Sequence, residues 1–482
     1  MKKIIAILLV ALTLIFAIGC ENVEYIETSQ PSESSQSIYE ELESQLPSIE
    51  VDENGIIKEQ TFTIATDEPS IFYNEETASG SVSKAVEERN TFLWDKYGAK
   101  IEIKEISASR LTNELKSAVE SGTEYCDLIC LSAKNSAKLA TSGLLFDMNT
   151  LPNFNVESAY FDENNAKTLA TNSSLYLLPD PTAQYYDELN VLYFSRELVN
   201  NIGGKDPESL VMQGKWTWDA FNETARAAAP AVYKKSSADI ETDVFGFGMY
   251  YGEGTYPIIM WGSTGQKLVT DTYKNPVKLS LSVDQISEVC QKLVKVYNTR
   301  GKFPLEANDA MKAFTNGRLA FFSNKLSYFY ALRDGTQKGS EYGVLPMPKY
   351  SEEQNGYNCL VSTDAHVFAI PKTLENASEE RKNFVSAVLQ ATCAAGRKTI
   401  HDAYLAHFIG QYLNNNKETV MLQTIIDSAT FDFAHVFGSV VSEIRRPTTT
   451  AVADYIDFGS ALGTSVSRAE AGFNKYCEEN FK

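Results

Sequence analysis

Short apolar runs alternate with amphipathic helical stretches along the chain from Thr61 onward. Apolar or alternating runs of about five residues are typical of strands, whereas apolar residues spaced three and four apart are typical of helices. Three of the helical stretches end at a glycine, which is a common helix stop. Strand and helix alternating at this spacing predict crossover units and a parallel sheet. The predicted elements are strand 61–65, helix 82–97, strand 99–106, helix 110–121, strand 127–131 and helix 133–142.

A second region of the same kind runs from about residue 191 to residue 333. Two short apolar runs follow it, and the remainder from residue 379 has a helical pattern almost throughout. The fold class predicted from both regions is α/β. The predicted elements are strand 191–194, helix 218–229, strand 244–249, helix 285–299, strand 319–322 and strands 342–345 and 366–370.

The start of the helix at residue 218 carries a local signature. Thr217 is a predicted N-cap, and Trp216 and Phe221 have the spacing of a hydrophobic staple. Trp216 and Trp218 are therefore interpreted as structural residues.

The N-terminus has the layout of an export signal. Lys2 and Lys3 precede an apolar run from Ile4 to Ile18, which is too short and wrongly flanked for an ordinary membrane span. The segment Ala-Ile-Gly-Cys that ends at Cys20 resembles the lipobox of bacterial lipoproteins, in which the cysteine is acylated before cleavage. We expect residues 1–19 to be a signal peptide and Cys20 to carry a lipid; the alternative is a plain signal peptide that contains a cysteine.

Residues 20–58 are rich in Ser, Glu and Gln. Such a stretch cannot bury enough apolar surface to offset its ordering entropy. We therefore expect the lipidated cysteine to be followed by a flexible acidic linker, although a helix near residues 39–46 is an alternative.

The formal net charge of the 482-residue chain is −20, and it becomes −22 once Lys2 and Lys3 leave with the signal peptide. An acidic surface of this kind argues against nucleic acid and anionic lipid as partners. Six cysteines follow Cys20, but their spacing matches no metal site. Cys290 and Cys393 fall on apolar helical stripes and are interpreted as buried small hydrophobes.

The sequence lacks several common catalytic and cofactor motifs. It has four histidines, no zinc-protease spacing, no G-x-S-x-G turn and no phosphate-binding G-x-x-x-x-G-K-[ST] loop. No metal and no cofactor is expected. Paired carboxylates are too numerous for composition to exclude a glycosidase.

Aromatic residues cluster near glycines at 185–187, 250–256 and 328–330. Aromatic faces and polar side chains together suit a sugar, which has an apolar face of C–H groups and a rim of hydroxyls. The alternative is that most of these aromatic residues belong to the core.

Three groups of segments carry a resemblance to the extracellular solute-binding proteins of ABC transporters, specifically the family related to maltose-binding protein. They are 127–130 with 140–148, 214–219, and 313–322 with 342–350 and 367–372. The resemblance covers nearly all of the chain after Thr61 and implies two α/β lobes joined by crossover strands, with the ligand in the cleft between them. It implies a first lobe of residues 59–181 plus 341–372 and a second lobe of residues 182–340 plus 373–482.

The resemblance also implies which residues line the cleft, because ligand loops follow the carboxyl ends of strands in such sheets. For each, the alternative is an exposed loop residue that touches no ligand. The expected ligand-binding residues are Glu68, Ser132, Lys134, Asn135, Tyr186, Asp187, Tyr251, Glu253, Tyr256, Asn324 and Tyr328.

The main hypothesis is therefore a monomeric lipoprotein that captures a carbohydrate, in particular an oligosaccharide, and delivers it to a membrane permease without chemistry. We expect it on the cell membrane, anchored only by its lipid and facing the outside or the periplasm. A peptide, an amino acid or another polar solute is the alternative ligand. A surface glycosidase that uses Asp187 and Glu253 is the third hypothesis.

Overall fold

The computed structural model describes residues 45–49, 57–72, 81–203, 206–232, 238–250, 256–277, 280–297, 305–334, 342–412 and 415–438, together with residues 471 and 475. The predicted signal peptide, Cys20 and most of the predicted linker lie outside these ranges. Tyr251 and Glu253 lie outside them as well, and of Tyr256 only the backbone is described. Within the described ranges, no helix is both long and apolar enough to cross a membrane.

The first lobe begins as the predicted alternation of strands and helices. Its elements are β1 (Gln60–Thr66), α1 (Ser81–Tyr97), β2 (Ala99–Glu105), α2 (Ala108–Ser121), β3 (Leu128–Ser132), α3 (Ala133–Thr141) and α4 (Glu163–Thr168). β1 lies between β2 and β3 and is parallel to both. β3 is buried along its whole length, as is typical of a parallel strand covered on both faces.

The second lobe is built around a larger sheet. Its elements are β4 (Asn190–Ser195), α5 (Arg196–Asn200), α6 (Pro207–Met212), α7 (Trp218–Ala228), β5 (Phe245–Met249), α8 (Tyr256–Ser263), α9 (Val283–Tyr297), β6 (Leu305–Glu306), α10 (Ala307–Thr315), β7 (Leu319–Lys325), α11 (Tyr328–Asp334) and β8 (Tyr342–Leu345). The strand order is β6-β5-β7-β4-β8. β5 is parallel to β6 and β7, whereas β4 runs antiparallel to both of its neighbours.

The predicted staple at the start of α7 is confirmed. Thr217 caps the helix by accepting a hydrogen bond from the Ala220 amide at 3.3 Å. The ring centroids of Trp216 and Phe221 lie 6.1 Å apart. Trp216 and Trp218 are fully buried, so both tryptophans support the core, as the sequence indicates.

The C-terminal part returns to both lobes. Its elements are β9 (Cys359–Leu360), β10 (His366–Ala369), α12 (Glu379–Tyr412), α13 (Asn416–Asp427), β11 (Ala429–Thr430) and α14 (Phe433–Phe437). β10 pairs antiparallel with β3 and completes the first sheet in the order β10-β3-β1-β2. Cys290 and Cys393 are buried with free thiols, as predicted from their helical stripes.

Two segments correct the predicted division into lobes. β8 was expected in the first lobe with residues 341–372, but it pairs with β4 at the edge of the second sheet. α12 was expected in the second lobe with residues 373–482, but its first turns pack on the first sheet. There the ring centroids of Phe384 and Phe62 lie 6.2 Å apart. Arg381 also binds both carboxylate oxygens of Asp127 at 2.7 Å. Asp127 is buried and needs a cationic partner, so this ion pair fixes the start of α12 on the first lobe.

Three crossover segments, residues 185–189, 359–364 and 429–431, lie side by side between the lobes. Leu189 forms an isolated antiparallel bridge with Val361, and β9 pairs in parallel with β11. The Asn190 side-chain Nδ2 donates to the Leu360 carbonyl at 2.8 Å. These contacts form a narrow hydrogen-bonded junction between the two sheets.

Candidate functional site

The carboxyl ends of central strands from both sheets meet at the crossover segments. β3 ends at Ser132, and the following Lys134 amide donates to the Thr363 carbonyl at 3.0 Å. β7 ends at Lys325. β4, which pairs with β7, begins directly after the first crossover segment. Loops at such strand ends are where open α/β sheets bind ligands.

An ionic network joins the two lobes at this point. Asp364, on the second crossover segment, pairs with Lys134 of the first lobe and with Lys325 of the second lobe, the latter at 3.0 Å. Lys325 also pairs with Glu188 at 2.5 Å. Burial acts to raise the pKa of Asp364, but the bonds from the two lysines outweigh it and hold that pKa below its ordinary value. The pKa of Lys325 lies above its ordinary value because its two carboxylate partners outweigh the effect of burial.

Asp187 is committed to protein partners. Its Oδ1 accepts hydrogen bonds from the hydroxyls of Tyr330 at 3.0 Å and Tyr404 at 2.6 Å. Burial raises the pKa of Asp187 in spite of these two bonds. The neighbouring Tyr186 is buried, and its hydroxyl lies 2.9 Å from His401 Nδ1.

Two of the other predicted residues lie at the end of β3. Ser132 is buried, and its hydroxyl has no hydrogen-bond partner among the described residues. Asn135 is half-buried and accepts a hydrogen bond of 3.4 Å from Lys138. Glu68, which follows β1, is exposed and accepts a hydrogen bond from the Ser70 hydroxyl at 2.5 Å.

Two predicted residues lie in or after β7. Asn324 is buried, and its side chain accepts a hydrogen bond from the Lys325 amide at 2.8 Å. Tyr328 is half-buried and packs edge-on against Tyr193 and Phe322. Burial raises the pKa of Tyr328 to about 12. Tyr256 begins α8, and Tyr251 and Glu253 lie outside the described residues.

Sequence reasoning missed the carboxylates that hold the ionic network together. Asp364 precedes an antiparallel strand, so the rule that ligand loops follow parallel strands does not select it. A second missed pair lies beside it, where His366 Nε2 contacts Asp67 Oδ1 at 2.9 Å. The only available signal was the polar run Ser-Thr-Asp at 362–364 between two apolar strands.

A cavity of about 550 Å³ also lies against the crossover segments. Its lining comes from α4 of the first lobe, from the first crossover segment, from α12, and from Lys267, β11 and the end of α13. Of the predicted residues that the structure describes, Tyr186 alone lines it. The lining residues are Asp162, Asn164, Asn165, Pro181, Tyr185, Tyr186, Lys267, Tyr357, Asn358, Arg397, His401, Ile426, Asp427, Ser428, Ala429 and Thr430.

Polar side chains of both lobes lie at the junction. Its carboxylates, hydroxyls and amides come from both lobes, and tyrosine rings lie among them. Within the part of the chain that the structure describes, no three His, Cys, Asp or Glu side chains are placed to hold a metal ion.

Solved structures of similar fold cover 86–87% of the chain. An uncharacterised protein from Listeria monocytogenes EGD-e has a TM-score of 0.60 at 13% identity, with 100% of its own chain covered. The sugar-binding protein MalE from Xanthomonas citri has a TM-score of 0.56 at 12% identity and 98% coverage. The cyclic α-maltosyl-1,6-maltose binding protein from Arthrobacter globiformis has a TM-score of 0.55 at 13% identity and 99% coverage.

These likenesses show the two-lobed fold. No curated protein matches the sequence. The profile that describes bacterial extracellular solute-binding proteins matches residues 87–395, which is well over half of the chain. The chain therefore belongs to the bacterial extracellular solute-binding protein family.

Proposed function

We propose that the protein captures a carbohydrate between its two lobes and delivers it to the permease of an ABC importer. Membership of an extracellular solute-binding family supports capture of a solute outside the cytoplasm. Two proteins of similar fold are named as binders of sugar or of a cyclic maltosyl-maltose, and this supports a carbohydrate as the class of ligand.

One observation carries the proposal: polar side chains of both lobes converge where the carboxyl ends of the two sheets meet. Lys134 and Lys325 come from different lobes and bind the same carboxylate, Asp364. A solute that binds there contacts both lobes only when they are close together. Such a solute shifts the equilibrium towards the closed arrangement, which is the state that a permease would recognise.

Ser132 offers the sharpest contact for a sugar hydroxyl. Buried hydroxyls nearly always have a hydrogen-bond partner. The Ser132 hydroxyl has none among the described residues, and it lies at the carboxyl end of a central strand. We propose that a ligand hydroxyl bonds to it, with Glu68, Lys134, Asn135, Asn324 and Tyr328 as further contacts.

We also propose that the protein carries out no chemistry on its ligand. The carboxylates at the junction are engaged in ion pairs or in bonds to tyrosine hydroxyls, as Glu188, Asp364 and Asp187 show. A glycosidase needs one carboxylic acid and one free carboxylate that face each other across the scissile bond.

Titration calorimetry of the purified protein with neutral mono- and oligosaccharides, maltose included, tests the proposal. We expect saturable binding of at least one sugar. Ser132→Ala is expected to weaken that binding about fivefold or more while leaving the free energy of unfolding unchanged, because the hydroxyl has no partner to lose among the described residues.

Ser386→Ala is the matched control. Its hydroxyl donates to the Pro152 carbonyl at 2.5 Å, so the substitution is expected to cost about 1 kcal/mol of stability and to leave sugar affinity unchanged. Saturable binding of a peptide but of no sugar would contradict the proposal.

The location of the protein gives a separate proposal. The family is extracellular, and we propose that the lipid on Cys20 tethers the monomeric body to the outer face of the membrane. The tether raises the effective concentration of the receptor near the permease. Cys20→Ser is expected to release the protein from washed membranes without a change in ligand affinity.

A further inference from the structure

A short piece of the predicted linker, residues 45–49, is docked on the first lobe. The Leu46 side chain is 8% exposed and belongs to the core of that lobe, against which Ile49 also packs. The Pro47 carbonyl accepts a hydrogen bond from the Tyr97 hydroxyl at 2.9 Å. Residues 45–49 therefore fasten the linker to the folded body, and we call them the clip.

The clip lies at the edge of the first sheet where the parallel strands begin, here called the amino edge. Tyr97 ends α1 directly before β2, and the Gln60 amide at the start of β1 donates to the Gly98 carbonyl at 2.9 Å. An added Cβ at Gly98 would lie 2.8 Å from the Lys58 carbonyl oxygen, so the chain that enters β1 also crosses this turn. β1 spans seven residues, which places the amino edge about 20 Å from the carboxyl edge that holds the candidate site.

The amino edge carries an exposed tryptophan. Trp94 lies in the last turn of α1 and is 41% exposed, whereas the other three tryptophans of the chain are buried. A tryptophan ring suits a membrane interface because it combines a large apolar face with one polar N–H group.

The charge of the amino edge also differs from that of the chain as a whole. Residues 45–49, 57–60 and 94–102 carry three lysines and three acidic side chains, in a chain whose net charge is −20. This part of the surface is therefore nearly neutral. It meets less repulsion from an anionic bilayer than the acidic remainder of the surface does.

The clip shortens the predicted tether. A flexible chain over residues 21–44 has a root-mean-square length of about 25–30 Å, whereas one over residues 21–59 would have about 30–37 Å. The body is therefore held closer to the lipid when the clip is docked. Fully extended, the shorter chain still spans about 80 Å, which leaves the body free to turn towards a permease.

We infer that the clip sets the length of the membrane tether, and that the amino edge of the first lobe, with Trp94, faces the bilayer. The candidate site at the carboxyl edge then opens away from the membrane, towards the solution that supplies the solute. The tether holds the first lobe, and the second lobe is free to move. This inference rests on the lipid proposed for Cys20 but not on the class of ligand.

Unfolding of the full chain in urea tests the clip without a membrane. Leu46→Ala removes buried apolar contact and is expected to lower the urea midpoint. Leu46→Met conserves volume, and Ser48→Ala changes an exposed residue of the same segment, so both are expected to keep the midpoint of the parent. An identical midpoint for Leu46→Ala and the parent would overturn the clip.

Energy transfer from tryptophan to a dansyl-headgroup lipid tests the orientation. The lipidated full chain is bound to phosphatidylcholine vesicles that contain the dansyl lipid, and transfer is compared between the parent and Trp94→Phe. Trp94 lies in the first lobe, whereas Trp216, Trp218 and Trp261 lie in the second. Because transfer falls steeply with distance, Trp94→Phe is expected to remove more than half of it. A loss of half or less would overturn the orientation.

Leu46→Ala on the same vesicles tests whether the clip sets the length of the tether. The longer tether is expected to lower transfer from Trp94 about 1.5-fold or more, with Ser48→Ala unchanged. Unchanged transfer in Leu46→Ala would overturn that role. A chain that washes off the vesicles would overturn the lipid on Cys20 and this orientation with it. Sugar binding that depends on Ser132 would still support the proposed capture, so the two failures are distinguishable.

Discussion

Lys325→Met removes the cation through which the second lobe holds the crossover segments. Lys325 Nζ lies 2.5 Å from Glu188 and 3.0 Å from Asp364, and only about a fifth of its side chain is exposed. Asp364 keeps its bond to Lys134, so the first lobe retains its own contact. The substitution therefore weakens the contact between the lobes more than the contacts within them.

The magnitude follows from the depth of these groups. Exposed ion pairs contribute up to about 1 kcal/mol each, whereas breaking a buried pair costs about 3–5 kcal/mol. Lys325 and Glu188 are 20% and 23% exposed and Asp364 is 41% exposed, which places the two pairs between these limits. The parent chain bears a desolvation cost for holding the Lys325 ammonium group away from water. The methionine variant does not bear that cost, and this offsets part of the loss. We estimate about 2 kcal/mol, or roughly a 30-fold shift of the equilibrium towards separated lobes.

Small-angle X-ray scattering of the unliganded protein measures this shift. The radius of gyration is expected to be larger for Lys325→Met than for the parent chain, and high salt is expected to expand the parent but not the variant. Lys312→Met is the matched control, because that lysine forms an exposed pair with Glu241 at 2.7 Å, away from the crossover segments. Identical scattering of both variants and the parent at every salt concentration would refute the reasoning.

Three further predictions concern pH and stability. The pKa of Asp364 is held below its ordinary value of 3.8, so its stabilising contribution is present above that pH and lost as the pH falls further; scattering should show an acid expansion that Asp364→Asn lacks. Arg196→Met removes the cation that pairs with the buried carboxylates of Glu208 and Glu418 and should lower the free energy of unfolding in urea by about 3–5 kcal/mol, whereas an unchanged midpoint would contradict this. Gly396→Ala places a Cβ 1.9 Å from the Thr182 hydroxyl, so it should destabilise the protein by about 1–3 kcal/mol in the same assay, and a neutral effect would show that α12 can move away.

Much of the local structure could be predicted from sequence because its causes are local. The strand and helix that contain Leu128–Ser132 and Ala133–Thr141 follow from an apolar run and a helical stripe that ends before Gly143. The staple of Trp216 on Phe221 follows from residues five positions apart. Such signals hold because each element must cover its own apolar face, whatever it packs against.

The lobe to which a segment belongs could not be predicted in the same way. The apolar stripe of α12 shows that the helix packs on something, but not on which sheet. The bond between Arg381 and Asp127 that decides the matter joins residues 254 positions apart. β8 shows the same limit, because its pairing with β4 depends on the arrangement of the whole second sheet.

The sequence indicated which strand ends carry candidate residues, but it did not indicate the contacts that those residues make. Ser132 and Lys134 were selected because they follow a central strand, and they do lie at the junction. Asp187 was expected to face a ligand, yet its oxygen accepts from Tyr330 and Tyr404, which lie 143 and 217 positions away. Arg397 and Lys267 meet in one cavity only through the fold, so no sequence pattern could have paired them.

Native mass spectrometry of the protein, incubated with a mixture of neutral oligosaccharides and peptides and then desalted, tests the central claim most directly. The account predicts one retained saccharide per chain, with weaker retention in Ser132→Ala and unchanged retention in Ser386→Ala. Retention of a peptide with no saccharide, or saccharide retention that is unaffected by Ser132→Ala, would contradict it.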